Sequence, residues 1–304
     1  MSGAPETEEP RRSRWVAVVL VVLPLWLFVS AGIGLWLWYK GHTSEEAVEP
    51  SKFATPIEAK RLTDDMRKLV EIIGERQVSS ELGAKGLSRA ASMIEGSLGP
   101  SNAGYRVELE GGPKTSYGSW PVITATLPGD GRNPLWVVAA YDTRGDGVEA
   151  NSTGVVSLIA VARALSNEDL GRPVTFAFLP HAYDPSAPVL PLLEAFAGSV
   201  KEAELMLVVE SMGAKEALMI SSAEPSNLER SEFRAHGSVV DVEAIRREGE
   251  FELSSALVEL DQPAVRISTR RVVGEDESEG GNPDPARHAA ATASLAGLVV
   301  DLAK

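Results

Sequence analysis

Val137–Leu165, VVAAYDTRGDGVEANSTGVVSLIAVARAL, decides how the fold is read. Its first five residues are an apolar run of the kind that forms a buried strand, ending at Tyr141. A loop rich in Asp, Gly and Glu follows. From Ser152 to Leu165 the pattern is helical, and Asn151 or Ser152 suits the N-cap. Open α/β sheets place ligands at this junction, where a strand ends and a helix begins.

Outward from this junction the same alternation repeats. Upstream, Ile57, Leu62, Met66, Leu69, Val70 and Ile73 recur at helical spacing, and 80–99 reads as a second helix. Strands are expected at 105–110, 120–128 and 135–141, then at 174–180 and 203–210 with a helix around 186–198 between them. QPAVRIS (262–268) reads as a further strand and 286–303 as a closing helix. Strands alternating with helices predict an α/β fold, a three-layer sandwich around a mostly parallel central sheet.

Trp15–Tyr39 is a run of 25 residues without a charge. As a helix it would be about 38 Å long, enough to cross a hydrocarbon core of about 30 Å. Trp15, Trp36, Trp38 and Tyr39 stand near its ends, as interfacial aromatics do. The apolar part of a cleaved signal peptide is only about 7–15 residues long. The sequence therefore predicts a polar cytoplasmic tail (1–14), a transmembrane helix (15–39), a linker (40–53) and a globular domain (54–304). Arg11, Arg12 and Arg14 precede the span and only Lys40 closely follows it, which puts the N-terminus in the cytoplasm and the domain outside.

The formal net charge is −14. Four of the 29 basic and three of the 43 acidic residues fall in 1–40, so residues 41–304 carry −15. Such a surface argues against a nucleic-acid partner, which needs a basic face. The chain has no cysteine, which excludes disulfides and thiolate metal sites. Its histidines are His42, His181, His236 and His288. There is no Gly-x-Ser-x-Gly nucleophile elbow and no phosphate-binding Gly-x-x-x-x-Gly-Lys loop.

Several short segments resemble the di-zinc aminopeptidases of the bacterial leucyl aminopeptidase and aminopeptidase Y type, over about residues 55–304. The family's strand ending in His-x-Asp corresponds to Ala140-Tyr141-Asp142. Its Gly-Ala-x-Asp-Asn-x-Ser-Gly loop corresponds to Gly147–Gly154, and its VTFVFFDAEE strand to VTFAFLPHAY, Val174–Tyr183. The family's Asp-Met-x-Gly corresponds to Glu210-Ser211-Met212-Gly213, and its GIPAV to Asp261–Val265.

In such a site two zinc ions about 3.5–4 Å apart activate a water and polarise the scissile carbonyl. His and carboxylate ligands hold the ions, and a further Glu takes the water's proton. The resemblance puts the first His ligand at Ala140, the bridging Asp at Ala150, the Glu base at Ala182 and a Glu ligand at Tyr183. Glu210 alone keeps a carboxylate, and 269–285, where the last His would lie, contains no histidine. Asp142, which in the family orients the His ligand, has no imidazole to orient and is expected to serve as a cap or loop acceptor.

The resemblance therefore implies a degenerate member: a membrane-anchored pseudoenzyme without metal cofactor, acting by binding or scaffolding a peptide or an envelope protein. The rival reading is a zinc-dependent aminopeptidase with a rearranged shell drawn from Asp142, Asp146, Glu149, His181 and Glu210. The carboxylates of that set could instead gather around calcium, which wants six to eight oxygens. His181 is expected to be structural and His288 a surface or packing residue. Asn151-Ser152-Thr153 fits a glycosylation sequon, although helix capping explains it equally well. The acidic run 275–279 reads as a solvated loop.

Overall fold

The computed structural model describes residues 25–26, 28–36, 54–143, 148–200, 202–244, 252–270 and 283–304, with backbone only at 148–150. The chain divides into two compact units, Met1–Ala47 and Val48–Lys304. The expected tail 1–14, the linker 40–53 and the acidic run 275–279 lie outside the described residues. Of the expected span 15–39, residues 25–26 and 28–36 are described, helical and exposed. Among the described residues no helix is long and apolar enough to cross a membrane.

The second unit is built on an eight-stranded sheet: β1 (Val107–Gly111), β2 (Pro121–Leu127), β3 (Leu135–Ala140), β4 (Val174–Leu179), β5 (Leu205–Val209), β6 (Leu218–Ser222), β7 (Val239–Ala244) and β8 (Ala264–Ser268). Their spatial order is β1-β2-β4-β3-β5-β8-β6-β7. The four central strands β4, β3, β5 and β8 run parallel, whereas β1 with β2, β2 with β4 and β6 with β8 are antiparallel. The sheet is thus mixed where a mostly parallel one was expected. The difference comes from the β1–β2 hairpin-like flank and from β6, which docks antiparallel on β8 and carries β7 parallel to itself.

Successive strand residues point to opposite faces, and the core divides accordingly. Val137, Phe176, Leu207 and Ile267 join one apolar cluster, with side chains from the helices Ala59–Arg67, Glu81–Leu98, Val148–Leu165 and Pro285–Ala303. Val138, Ala177, Val208 and Ala264 join the other, covered by the helices Val189–Ser199 and Leu253–Glu259. The central strands are buried on both faces, which is why they read as unbroken apolar runs.

The helix expected to begin at Ser152 begins at Val148, one turn earlier. Asn151, Ser152 and Thr153 therefore lie inside it, 7%, 0% and 3% exposed, and are neither a cap nor an accessible sequon. Their polar groups are spent internally. Asn151 Nδ2 donates to the Asp142 carbonyl at 3.1 Å, and Thr153 Oγ1 accepts from the Met212 N–H at 2.9 Å. One residue on, Gly154 has no room for a side chain: a Cβ there would sit 2.8 Å from the Val209 carbonyl oxygen. This close approach presses the helix against the end of β5 and sets the spacing of the candidate site.

Candidate functional site

Because β3, β4 and β5 are parallel neighbours, the segments that follow them meet at one end of the sheet. Ala140 pairs with Leu179 across β3 and β4, and Val138 with Val208 across β3 and β5. Asp142 comes just after β3, His181 to Asp184 just after β4, and Glu210 directly after β5. The topology therefore brings Ala140, Asp142, Ala182, Tyr183 and Glu210 to one end of the sheet. Ala150 lies within the helix Val148–Leu165, and its side chain is outside the described residues. So is that of Glu149, and Asp146 is not described at all.

The surroundings of the two described alanines are apolar. Ala140 and Ala182 are 4% and 1% exposed and belong to the cluster that contains Val138, Leu179 and Leu192. Asp142 is fully buried. Its Oδ2 accepts three backbone N–H groups, from Ala182 at 3.0 Å, Tyr183 at 2.8 Å and Asp184 at 3.0 Å. Burial raises its carboxyl to about 6, against the lowering effect of those three donors and of Arg76. Asp142 thus holds the post-β4 loop by its backbone. Asp184 continues the pinning, its Oδ2 accepting from the Val78 N–H at 2.6 Å.

Tyr183, at a Glu position of the family pattern, donates its hydroxyl to Glu210 Oε1. The other Glu210 oxygen, Oε2, accepts from Arg266 Nε at 2.7 Å, with both side chains almost fully buried. Arg266 lies on β8 opposite Val208 and also donates from Nη1 to the Arg270 carbonyl at 3.3 Å. A second carboxylate, Glu252, is 4.0 Å from Arg266 Nε.

His181 is fully buried, its ring edge-on to Trp120 at a centroid distance of 5.7 Å. Among the described residues neither of its ring nitrogens has a hydrogen-bond partner, and burial lowers its basicity to about 4, so it is neutral near pH 7. His288, expected to be a surface or packing residue, is 2% exposed and so is no surface group. It is 2.9 Å from Ser157 Oγ through Nε2, and burial lowers it to about 4 as well.

Among the described residues these groups do not make up the di-zinc ligand set of the family pattern. Alanine offers no lone pair at 140 or 182, and Tyr183 and Arg266 take one Glu210 oxygen each. Asp142 spends one oxygen on three N–H groups. Among the described residues no group of three or more His, Asp or Glu side chains is placed to hold a metal ion. Sequence reasoning missed Arg76 and Arg266. Arg76 is fully buried and donates to the Tyr141, Leu69 and Gly74 carbonyls at 2.7, 3.1 and 2.8 Å and to Ser152 Oγ at 2.7 Å. The one signal available for Arg266 was a charge inside an otherwise apolar strand.

No protein-family model matches this sequence, and no curated protein sequence matches it. Its structure is similar to solved bacterial structures. A leucine aminopeptidase precursor from Bacteroides thetaiotaomicron superposes with a TM-score of 0.61 at 11% identity, over 83% of this chain and 99% of that one. The Legionella pneumophila LapA aminopeptidase gives 0.60 at 13% identity over 81% and 71%. A Tannerella forsythia glutaminyl cyclase gives 0.59 at 15% identity over 81% and 99%. At such identities the likeness is one of fold: this chain has the fold those aminopeptidases and cyclases share.

Proposed function

We propose that this chain is a membrane-anchored pseudoenzyme: an aminopeptidase-like domain that binds or scaffolds a peptide or an envelope protein and carries out no zinc-dependent hydrolysis. The fold is the premise, and one fold hosts many functions, so the site must carry the argument. The observation that carries it is the apolar character of Ala140 and Ala182, packed in a hydrophobic cluster where the family pattern calls for a His ligand and a Glu base. The membrane anchor is residues 15–39, supported by 25 consecutive uncharged residues with Arg11, Arg12 and Arg14 before them. The same charge asymmetry supports an N-terminus in the cytoplasm and a domain on the far side.

The test is the metal content and activity of the full-length chain after incubation with zinc and dialysis. The expected result is no retained zinc and no release of reporter from aminoacyl substrates. Two zinc ions per chain together with zinc-dependent release would overturn the proposal. Retention of one ion would favour a rearranged site instead, with His181 and Glu210 as the first residues to replace.

A further inference from the structure

We infer that Arg266 is the built-in counter-charge of this sheet end, occupying with its guanidinium the electrostatic role for which the fold's zinc-dependent relatives use a metal. The inference rests on reading the site as metal-free and says what holds it together instead. Glu210 is a carboxylate only 4% exposed, and a buried charge persists only when paired and hydrogen-bonded. Here both its oxygens are occupied. Arg266 Nε reaches Oε2 at 2.7 Å and the Tyr183 hydroxyl reaches Oε1. The guanidinium is in turn fixed by the Arg270 carbonyl at 3.3 Å and lies 4.0 Å from Glu252.

The arrangement ties three separate parts of the chain to one carboxylate: the loop after β4 through Tyr183, the end of β5 through Glu210 itself, and β8 through Arg266. A metal at strand ends draws such segments together in the same way, by a cation shared between them. Arg266 supplies the cation from within the chain. Its Nε reaches one Glu210 oxygen while Nη1 is held by the Arg270 carbonyl, so one planar guanidinium links both. The domain's cohesion at this end is therefore independent of metal supply. Arg266 touches no substrate in this role; it is a positioning residue acting through Glu210 on Tyr183.

The experiment is a double-mutant cycle on the full-length chain with Arg266→Met, Glu210→Met and the double variant, each melted with and without zinc or a chelator. A buried pair broken on one side leaves a charge without its main partner, whereas removing both sides leaves only Glu252, 4.0 Å from Arg266 Nε in the wild type, without its cation. Each single variant is expected to melt roughly 10 °C lower and the double variant to recover most of that loss. Zinc and chelator are expected to leave the wild-type melting temperature unchanged. If a single variant fails to fold, recovery in the double variant still reads the coupling. Additive losses in the double variant, or singles that melt like the wild type, would overturn the inference. So would a chelator-induced fall in the wild-type melting temperature. Reporter cleavage is read separately: zinc-dependent cleavage sinks the functional proposal and, with it, the inference that rests on a metal-free site. Additive losses with no cleavage and no bound zinc sink the inference alone and leave the functional proposal standing.

Discussion

Arg76→Met is expected to destabilise the α/β domain by about 4 kcal/mol, because hydrogen bonds from a charged donor contribute roughly 1.5–3 kcal/mol each and buried carbonyls left bare cost about 1–3 kcal/mol. The wild-type guanidinium serves three backbone carbonyls and one hydroxyl, drawn from three parts of the chain. Leu69 and Gly74 belong to the wide helical turn Lys68–Ile73 and its exit, where Gly74 takes φ 75° to release the chain. Tyr141 directly follows β3 ahead of the candidate site, and Ser152 lies on the helix Val148–Leu165 that comes next. A thioether fills part of the volume but donates nothing, so those acceptors lose their partner together. Urea denaturation of the wild type and the variant checks this. A midpoint shift of only a few tenths of a molar would mean that water or neighbouring donors replace the guanidinium.

Acid is expected to weaken the domain between about pH 6.5 and 4. His181 and His288 are each lowered to about 4 by burial, from an ordinary value near 6.5. The unfolded chain therefore takes up protons first as pH falls, and stability that is complete above about 6.5 is lost by about pH 4. At 1.36 kcal/mol per unit, each histidine contributes a loss of about 3 kcal/mol. Asp142 works the other way. Its folded carboxyl is raised to about 6, so the folded state takes up that proton first and gains stability as pH falls toward the unfolded value. The carboxylate offsets roughly one histidine, leaving a net loss of about 3 kcal/mol at pH 4. His181→Leu removes an imidazole that makes no hydrogen bond among the described residues. The variant should match or exceed the wild type at pH 7 and lose distinctly less by pH 4. Parallel pH profiles for the two proteins would show that His181 does not report on folding.

Much of this architecture was legible because the central strands are apolar enough to announce themselves. β3, β4, β5 and β8 were each placed within a few residues. β6 and β7 escaped because LMISS and VVDVEA are partly polar, β6 pairing on β8 and β7 on β6 at the edge of the sheet. The start of the helix Val148–Leu165 was misplaced for a related reason. Asn151 and Ser152 are good capping residues by type, but tertiary partners claim their side chains. At the site, the alanines at 140 and 182 could be read directly, since a missing donor is a property of one residue. The Glu210–Arg266 pair could not. It depends on strand register across 56 residues of sequence, and Arg76 reaches Tyr141 across 65.

The strand order has a consequence for synthesis of the chain. β8 is the last strand in sequence, yet it lies between β5 and β6 and pairs with both. Until residues 264–268 leave the ribosome, β5 has one edge open and the β6–β7 pair has nothing to dock on. Open apolar edges are where nascent chains aggregate, so the strands made earlier must wait, half-assembled, for β8. Prematurely terminated products ending before β8 would then be substrates for chaperones and proteases, and no partial version of the sheet would accumulate as a folded species.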